Sequence, residues 1–462
     1  MKRHHGSIFW SLILISIGVL FLLKNLHYNI NPWMIVAKYW PLLIIFWGLS
    51  KLFNYLSPAD DPAAGQRSRL TGGDIVLLLF LLIVGSVVTK AVTHDFWPGH
   101  FGINMEETDF AGGDSSENSY NFTEEVSQPL TKKDRILELV NLYGSVEVRP
   151  HDKDEIKIQL EKRLHAKDEA QAKEVAGRLK IQLTSKSPGY LIATNRGDLE
   201  NKEREGLKTN FSIWVPRNMT LSISNKYGPV TLEKVAGTHK IEDSYGDVTV
   251  TEVDGSLQIE NKYGGVKLSG ISGDCTVSSK YGEVELDTIG GKAKIDHSNG
   301  SVVLRKMRGA VELTHNYGKL DCSDLDSTLS VNGRYLEVSG NNIGGDVQIS
   351  TSYRGVDLEN VAGTVKVEAK HGDISIKDEQ APSKAITIDS EYGGVTITLP
   401  GESRFRFDGY SKFGKLVSEF DSIPGGGSTN FVEGTRIRGS RGEGGPMITV
   451  TTSYRDINLD AS

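Results

Sequence analysis

The chain has 462 residues, a formal net charge of −7 and 50 glycines. That length allows two or more domains at roughly 100–200 residues each, and so modest an acidity gives no sign of a nucleic-acid partner. Two cysteines, Cys275 and Cys322, exclude a disulfide-rich framework and a multi-cysteine zinc site.

The first 95 residues differ from the rest. Gly6 to Leu23, "GSIFWSLILISIGVLFLL", carries no charge and is about the length that spans a bilayer core. Lys2, Arg3, His4 and His5 precede it, as in a secretory signal, yet "KNLHYN" follows and offers no small-residue cleavage pattern. A retained anchor is therefore expected. Trp33 to Phe53 also reaches spanning length, with Lys38 and Lys51 placed to snorkel; spanning and re-entrant insertion both stay open for it. Ile75 to Val92 is a third apolar run. Residues 1–95 are thus read as a membrane domain with helices at about 7–23, 33–53 and 75–92. Lys51, Arg67 and Arg69 lie between the second and third runs. The positive-inside rule puts the N-terminus in the cytoplasm. If all three runs span, everything after about residue 95 lies outside it.

The stretches "RHHGSIFWSLILISIGVLFLLKNL" and "NPWMIVAKYWPLLIIFWGLSKLF" resemble the paired-helix membrane region of the LiaI/LiaF-type bacterial envelope proteins. The resemblance covers Met1 to Phe53 and implies a place in the cell membrane and a link to envelope-stress sensing.

From Trp97 to Leu130 there is no Lys or Arg, while Glu106, Glu107, Asp109, Asp114, Glu117, Glu124 and Glu125 are spread among Gly, Ser and Asn. Such a composition buries little apolar surface, so residues 96–130 are expected to be a disordered acidic tether. Residues 131–220 read as an N-terminal β-region and cap. "ILELVNLYGSVEVRP" and "EIKIQLEKRL" alternate apolar and polar residues as half-buried strands do, and Ala166 to Leu179 is the one soluble helix predicted.

A period of 18 governs residues 221–400. Tyr227, Tyr245, Tyr263, Tyr281, Asn299, Tyr317, Tyr335, Tyr353 and His371 follow one another at that spacing, and Gly comes next except at Leu336 and Arg354. Three residues after each marker stands Val, Leu or Ile, from Val230 to Ile374; four before it the side chain is again aliphatic, from Ile223 to Val367. Eight after it the residue is apolar except at Glu379. Eighteen residues is too short for a βαβ unit, and the pattern is too β-rich for a helical repeat. One coil of a β-solenoid fits, with equivalent residues in ladders about 4.8 Å apart. A chain of β-sandwich domains is the rival, and the unbroken short period argues against it. Residues 401–462 are read as further coils and a C-terminal cap, with Tyr454 as a last marker.

Repeated Tyr-Gly-x-Val-x-Leu units, the "WVP" strand before them and "GGPMITVTTSYRDINL" at the end resemble the bacterial putative-adhesin β-strand-repeat family, over about residues 135–460. The resemblance implies a right-handed parallel β-helix. The fold class expected is therefore all-β, a right-handed β-solenoid with 18-residue coils behind N-terminal transmembrane helices.

The seven tyrosines of the ladder, Tyr227, Tyr245, Tyr263, Tyr281, Tyr317, Tyr335 and Tyr353, are read as structural: Tyr at a coil corner, Gly for the permissive turn. A binding stripe is the alternative. His297 and His315 stand two residues before successive markers, but Ser279 and Gly333 continue their row and supply no strong metal ligand. Lys226, Lys262, Lys280, Arg334 and Lys370 precede markers, a row that could meet anionic polymers or simply discourage edge pairing. Asp247, Glu283, Glu337 and Asp373 share a position, but Gly265, Ser301, Lys319 and Gly355 interrupt it, so no convergent carboxylate pair is read. Cys275 and Cys322 are expected as buried thiols. No enzyme, cofactor or metal is expected. The partners expected are the lipid bilayer and either envelope polysaccharide or membrane signalling proteins, with the solenoid outside the cytoplasm as an adhesion, scaffold or interaction surface. Envelope-stress sensing through the membrane helices is the alternative. The rungs that break the rule, Asn299, Leu336, Arg354 and His371, are where a surface could differ from its scaffold.

Overall fold

A computed structural model describes residues 118–131, 135–423 and 434–462. The expected membrane helices and the first part of the acidic tether lie outside these residues. Among the described residues no helix is long and apolar enough to cross a membrane.

Within the repeat, each 18-residue unit supplies two strands. Leu257–Tyr263 and Val266–Ile271 are one such pair. Each pairs in parallel, without offset, with the strands one period before and after it: Ile241↔Ile259↔Val277 on one side of the coil and Val248↔Val266↔Val284 on the other. Zero offset follows from the fixed period, because a slip by one residue would turn every Val and Ile outward. From Ala293 to Ile343 the corner between the two strands is itself extended, and each unit becomes one 15-residue strand. Inward side chains stack into aliphatic ladders that are almost fully buried, such as Ile241, Ile259 and Ile295 at 0–1% exposure. At about 1.5–3 kcal/mol per fully buried side chain, burial against neighbouring coils is the main stabilising contribution.

Strict alternation would send the seventh residue after each marker inward and the eighth outward. The structure does the reverse. The seventh residue adopts a left-handed conformation at Lys234, Glu252, Gly270, Thr288, Lys306, Asp324, Asn342 and Asn360, with φ between 52° and 70°. That reversal aims the next side chain, Val253, Ile271, Ile289 or Met307, into the core. Where the eighth position holds Glu379, the left-handed turn is missing and Asp378 is buried instead, accepting a hydrogen bond of 2.9 Å from the Val361 N–H. Thr288 is the least suited occupant of the row, since a β-branched side chain resists positive φ. Thr288→Asn is expected to stabilise the protein by about 0.5–1 kcal/mol. Chemical denaturation of the two proteins side by side checks this; unchanged or lower stability would contradict it.

Both ends of the stack are built out of sequence order. The strands β1 (Asn118–Pro129), β2 (Ile136–Tyr143), β3 (Val146–His151) and β4 (Glu155–Ala166) open the described chain. β2 and β3 pair in parallel with Thr220–Tyr227 and Val230–Glu233, so they form the first regular coil although 84 residues separate Asn141 from Asn225. The intervening chain supplies the layer beyond that coil. Gly189–Thr194 pairs with β2, and Lys208–Pro216 pairs with β3. β4 runs antiparallel to Lys208–Pro216, and β1 antiparallel to β4. At the other end, Met447–Thr452 and Ile457–Ala461 insert between the 386–399 and 405–418 strands, and Thr435–Arg441 closes that end antiparallel to Phe405–Ser411. Antiparallel closing strands cover the open backbone that a β-stack would present to other chains. The ladder therefore begins at Tyr143, before the expected start of the repeat at 221.

The tether expectation is corrected in part. Residues 118–129 are strand, not coil. Tyr120, Phe122, Glu124 and Val126 fall on one face of β1, and Phe122 packs on the cluster of Leu164, Val175, Ala176, Leu179, Leu199 and Leu207. Glu124 accepts a 2.5 Å hydrogen bond from the buried Lys162, whose ammonium also donates to the carbonyls of Ala176 and Leu179. Those carbonyls end helix α1 (Glu169–Arg178), where a cation is favoured by the helix dipole. Asp168 caps the other end, accepting from the Gln171 N–H at 2.8 Å. A low apolar content hid this strand because only every second residue contributes to its buried face.

Candidate functional site

The markers form a column of rings at one corner of the solenoid. Tyr143, Tyr227, Tyr245, Tyr263 and Tyr281 stack with centroids 4.5–5.1 Å apart and planes within 11°. After Asn299 the column resumes through Tyr317, Tyr335, Tyr353, His371 and Tyr392 at 4.4–5.1 Å, and ends through Tyr454 to Phe413. The spacing is that of parallel strands, so the backbone register imposes the stacking. Ring faces cover one another, and Tyr263, Tyr281, Tyr317, Tyr335 and Tyr353 remain 36–49% exposed. His371, one of the rule-breaking markers, keeps the stack, because a flat imidazole fits the same interval. Tyr143, Tyr392 and Phe413 belong to the column but stand off the 18-residue spacing; the unit holding Tyr392 is longer, placing Gly394 21 residues after Asp373.

The glycine after each marker has a steric cause. At Gly264, φ is +137° and a Cβ would sit 2.1 Å from the Gly246 carbonyl oxygen one rung away. Leu336 takes this place in one coil and is fully buried. It fills the room left by Gly333, where a Cβ would come within 2.8 Å of it. The two departures compensate each other. Arg354 stays exposed.

Two residues before each marker, except at Gly333 and Ala369, runs a second ladder, polar and buried. Asn141, Asn225, Asp243, Asn261, Ser279, His297, His315, Thr351, Ser390, Ser411 and Thr452 occupy it, all at 5% exposure or less. Its members fasten the corner. Asn225 Nδ2 donates to the Gly228 carbonyl at 2.6 Å, and Asn261 Nδ2 to the Gly264 and Gly246 carbonyls at 3.2 and 3.0 Å. Thr351 and Thr452 hydroxyls donate to the corner carbonyls of Leu336 and Gly393 at 3.1 and 3.2 Å. These bonds satisfy carbonyls that the turn would otherwise strand.

The expected neighbours His297 and His315 lie in this buried ladder, with ring centroids 4.7 Å apart. His315 Nδ1 and Nε2 face the carbonyls of His297 and Gly300 at 3.2 and 3.0 Å, and His297 Nδ1 faces the Ser279 carbonyl at 3.3 Å. Burial lowers both pKa values, that of His297 to about 4. No group of three or more potential metal ligands occurs among the described residues. Asp243 is the anomaly of the row. It occupies the place of an amide donor, yet its carboxylate makes no close hydrogen bond, and the nearby Ser244 and Tyr245 N–H groups only partly offset its burial. Burial pushes its pKa up to about 7, and the negative Asp247 adds to this.

Lys226, Lys262, Lys280, Arg334 and Lys370 are exposed beside the ring column, with Lys226 Nζ 5.1 Å from the Tyr227 centroid. Asp247, Glu283, Glu337 and Asp373 are exposed on its other side. The first of these accepts from the Gly265 N–H at 2.7 Å and the last from the Gly394 N–H at 2.8 Å, so both are occupied in holding turns. Cys275 and Cys322 are buried free thiols whose pKa values burial pushes up to about 12. The position two before the marker carried no apolar signal, and its polar letters disguised a buried row. Their repetition at 18-residue spacing was the available clue.

Comparison with known proteins agrees with both parts of the chain. The family model described as the LiaI-LiaF-like transmembrane region matches residues 8–52. The model described as Toastrack DUF4097 matches residues 137–332 and 327–460. A solved structure of a putative cell adhesion protein from Clostridium sporogenes aligns over 75% of this chain and 100% of its own, at 10% identity and a TM-score of 0.18. No curated protein matches. A transmembrane region of this kind ahead of a β-solenoid fits a membrane-anchored, non-catalytic surface. With two matches that together run from residue 137 to residue 460, the chain belongs to the Toastrack DUF4097 family.

Proposed function

We propose that this protein holds a right-handed β-solenoid outside the cytoplasm as a non-catalytic interaction surface of the cell envelope, anchored by its N-terminal membrane region. The observation that supports this reading best is the uninterrupted register of the coils. Parallel ladders from Tyr143 to Tyr454 stack ring positions at the strand interval, interrupted at Asn299, with basic and acidic side chains recurring beside them in broken rows. Such a surface suits an extended, repetitive partner such as an envelope polysaccharide, or a membrane signalling protein. Regulation through the LiaI-LiaF-like region is the second reading, favoured by the match at residues 8–52. Protease added to intact cells or spheroplasts is expected to release the solenoid. Cleavage seen only after the membrane is permeabilised would overturn the topology. A soluble fragment for partner capture should begin before Asn118, because β1 is part of the cap.

A further inference from the structure

The ring column is interrupted in one place between its ends. At one end the Arg196 guanidinium lies 4.8 Å from the Tyr143 ring centroid. At the other, Lys412 Nζ lies 5.0 Å from the centroid of Phe413. Cations near ring faces are favourable partners. Between them Asn299 pairs in register with Tyr281 on one side and Tyr317 on the other. It puts a short amide where every neighbouring rung from Tyr227 to Tyr392 has a ring.

The rings of Tyr281 and Tyr317 are the walls of this notch: each stacks on one ring, Tyr263 or Tyr335, and meets Asn299 rather than a ring on its inner side. The two walls stand two rungs apart, about 9.6 Å at the usual strand spacing. A flat ring centred there lies about 4.8 Å from each wall, within the 4.4–5.2 Å interval of the intact column. Ring-on-ring stacking favours a flat aromatic occupant over a saturated or branched one. Asn299 forms the half-buried floor. Its Nδ2 donates to the Lys280 carbonyl at 3.4 Å, and its side-chain oxygen stays available to a donor on the ring's edge.

We propose that the notch at Asn299 binds one planar aromatic ring with a hydrogen-bonding group at its edge, inserted between Tyr281 and Tyr317. The inference deepens the reading of the solenoid as an interaction surface. It can fail separately, because the charged rows of the other coils do not depend on the notch.

The test uses the full chain in nanodiscs and N-acetyltyrosinamide as probe, followed by saturation-transfer NMR, with empty nanodiscs as background. Transfer to the phenol ring protons is expected, with little to N-acetylleucinamide. Asn299→Tyr completes the column and is expected to weaken probe binding about tenfold or more, since stacking on two ring faces is lost. Tyr317→Leu removes one wall and is expected to do the same by a separate route. Asn299→Ala keeps both walls but loses the edge acceptor, so it should retain the probe with a weakening smaller than that of Asn299→Tyr. Two further arms locate the ring's source: 4-methylphenol, and a tripeptide with a central tyrosine. Tighter binding of the tripeptide points to a polypeptide side chain, and equal binding to a free small ring. No binding of any aromatic probe, equal binding of the leucine analogue, or undiminished binding by both Asn299→Tyr and Tyr317→Leu would overturn the proposal.

Discussion

Asp243→Asn is expected to stabilise the coils around residue 243 by a few kcal/mol at pH 8 and to have little effect near pH 4. In the wild type the carboxylate is buried between Asn225 and Asn261, whose amides donate to corner carbonyls, while Asp243 has only weak backbone donors at Ser244 and Tyr245. Its folded-state pKa of about 7 lies above the ordinary 3.8. The folded state therefore holds the proton more tightly than the unfolded state. Stability from this group is fully present below about pH 4 and is lost as pH rises through about 7, by roughly 1–3 kcal/mol once screening and relaxation reduce the full value of the shift. Protonated, the acid can donate as its amide neighbours do. An asparagine donates at every pH, so it removes the loss. His239 and His297, with pKa values lowered to about 4 by burial, act in the opposite sense. Their contribution is present above about 6.5 and is lost as pH falls through about 4. The difference between variant and wild type, not the wild-type profile alone, isolates Asp243. Solenoid stability is local, so hydrogen exchange of the strands 239–245 and 257–263 is the suitable measurement. A difference that stays constant from pH 4 to pH 8 would show that Asp243 does not titrate in the folded protein.

The outer pattern of this fold was legible because its cause is repetitive. Val266 and Ile259 recur in place every 18 residues, and burial of each depends only on the coil above and below. Other features needed information that the local sequence does not hold. Tyr143 joins the column across an 84-residue separation between coils, which no fixed period could bridge. β1 depends on β4 and on a buried lysine that neutralises Glu124. The left-handed row from Lys234 to Asn360 has no common residue type, because an exposed corner accepts Lys, Glu, Asp or Asn at modest cost. The buried polar ladder is the clearest case. Asn261 and His315 read as solvated letters, and only the carbonyls of neighbouring turns make their burial favourable. Among the markers, the structure sorts the exceptions by physics: His371 stacks, Leu336 compensates Gly333, Arg354 stays outside and Asn299 leaves a notch.

The central claim is that each 18-residue unit is one in-register coil of a continuous solenoid. Two deletions test it most directly. Removing Tyr263 to Lys280 joins Lys262 to Tyr281, restores Lys-Tyr-Gly and leaves every ladder in register. Removing only Tyr263 to Ile271 takes half a coil and joins one side of the solenoid to the wrong corner. Limited proteolysis and circular dichroism of the two shortened proteins should show a folded, protease-resistant rod for the whole-coil deletion and local collapse for the half-coil deletion. Equal damage from both, or a half-coil deletion that folds as well as the whole, would contradict the solenoid.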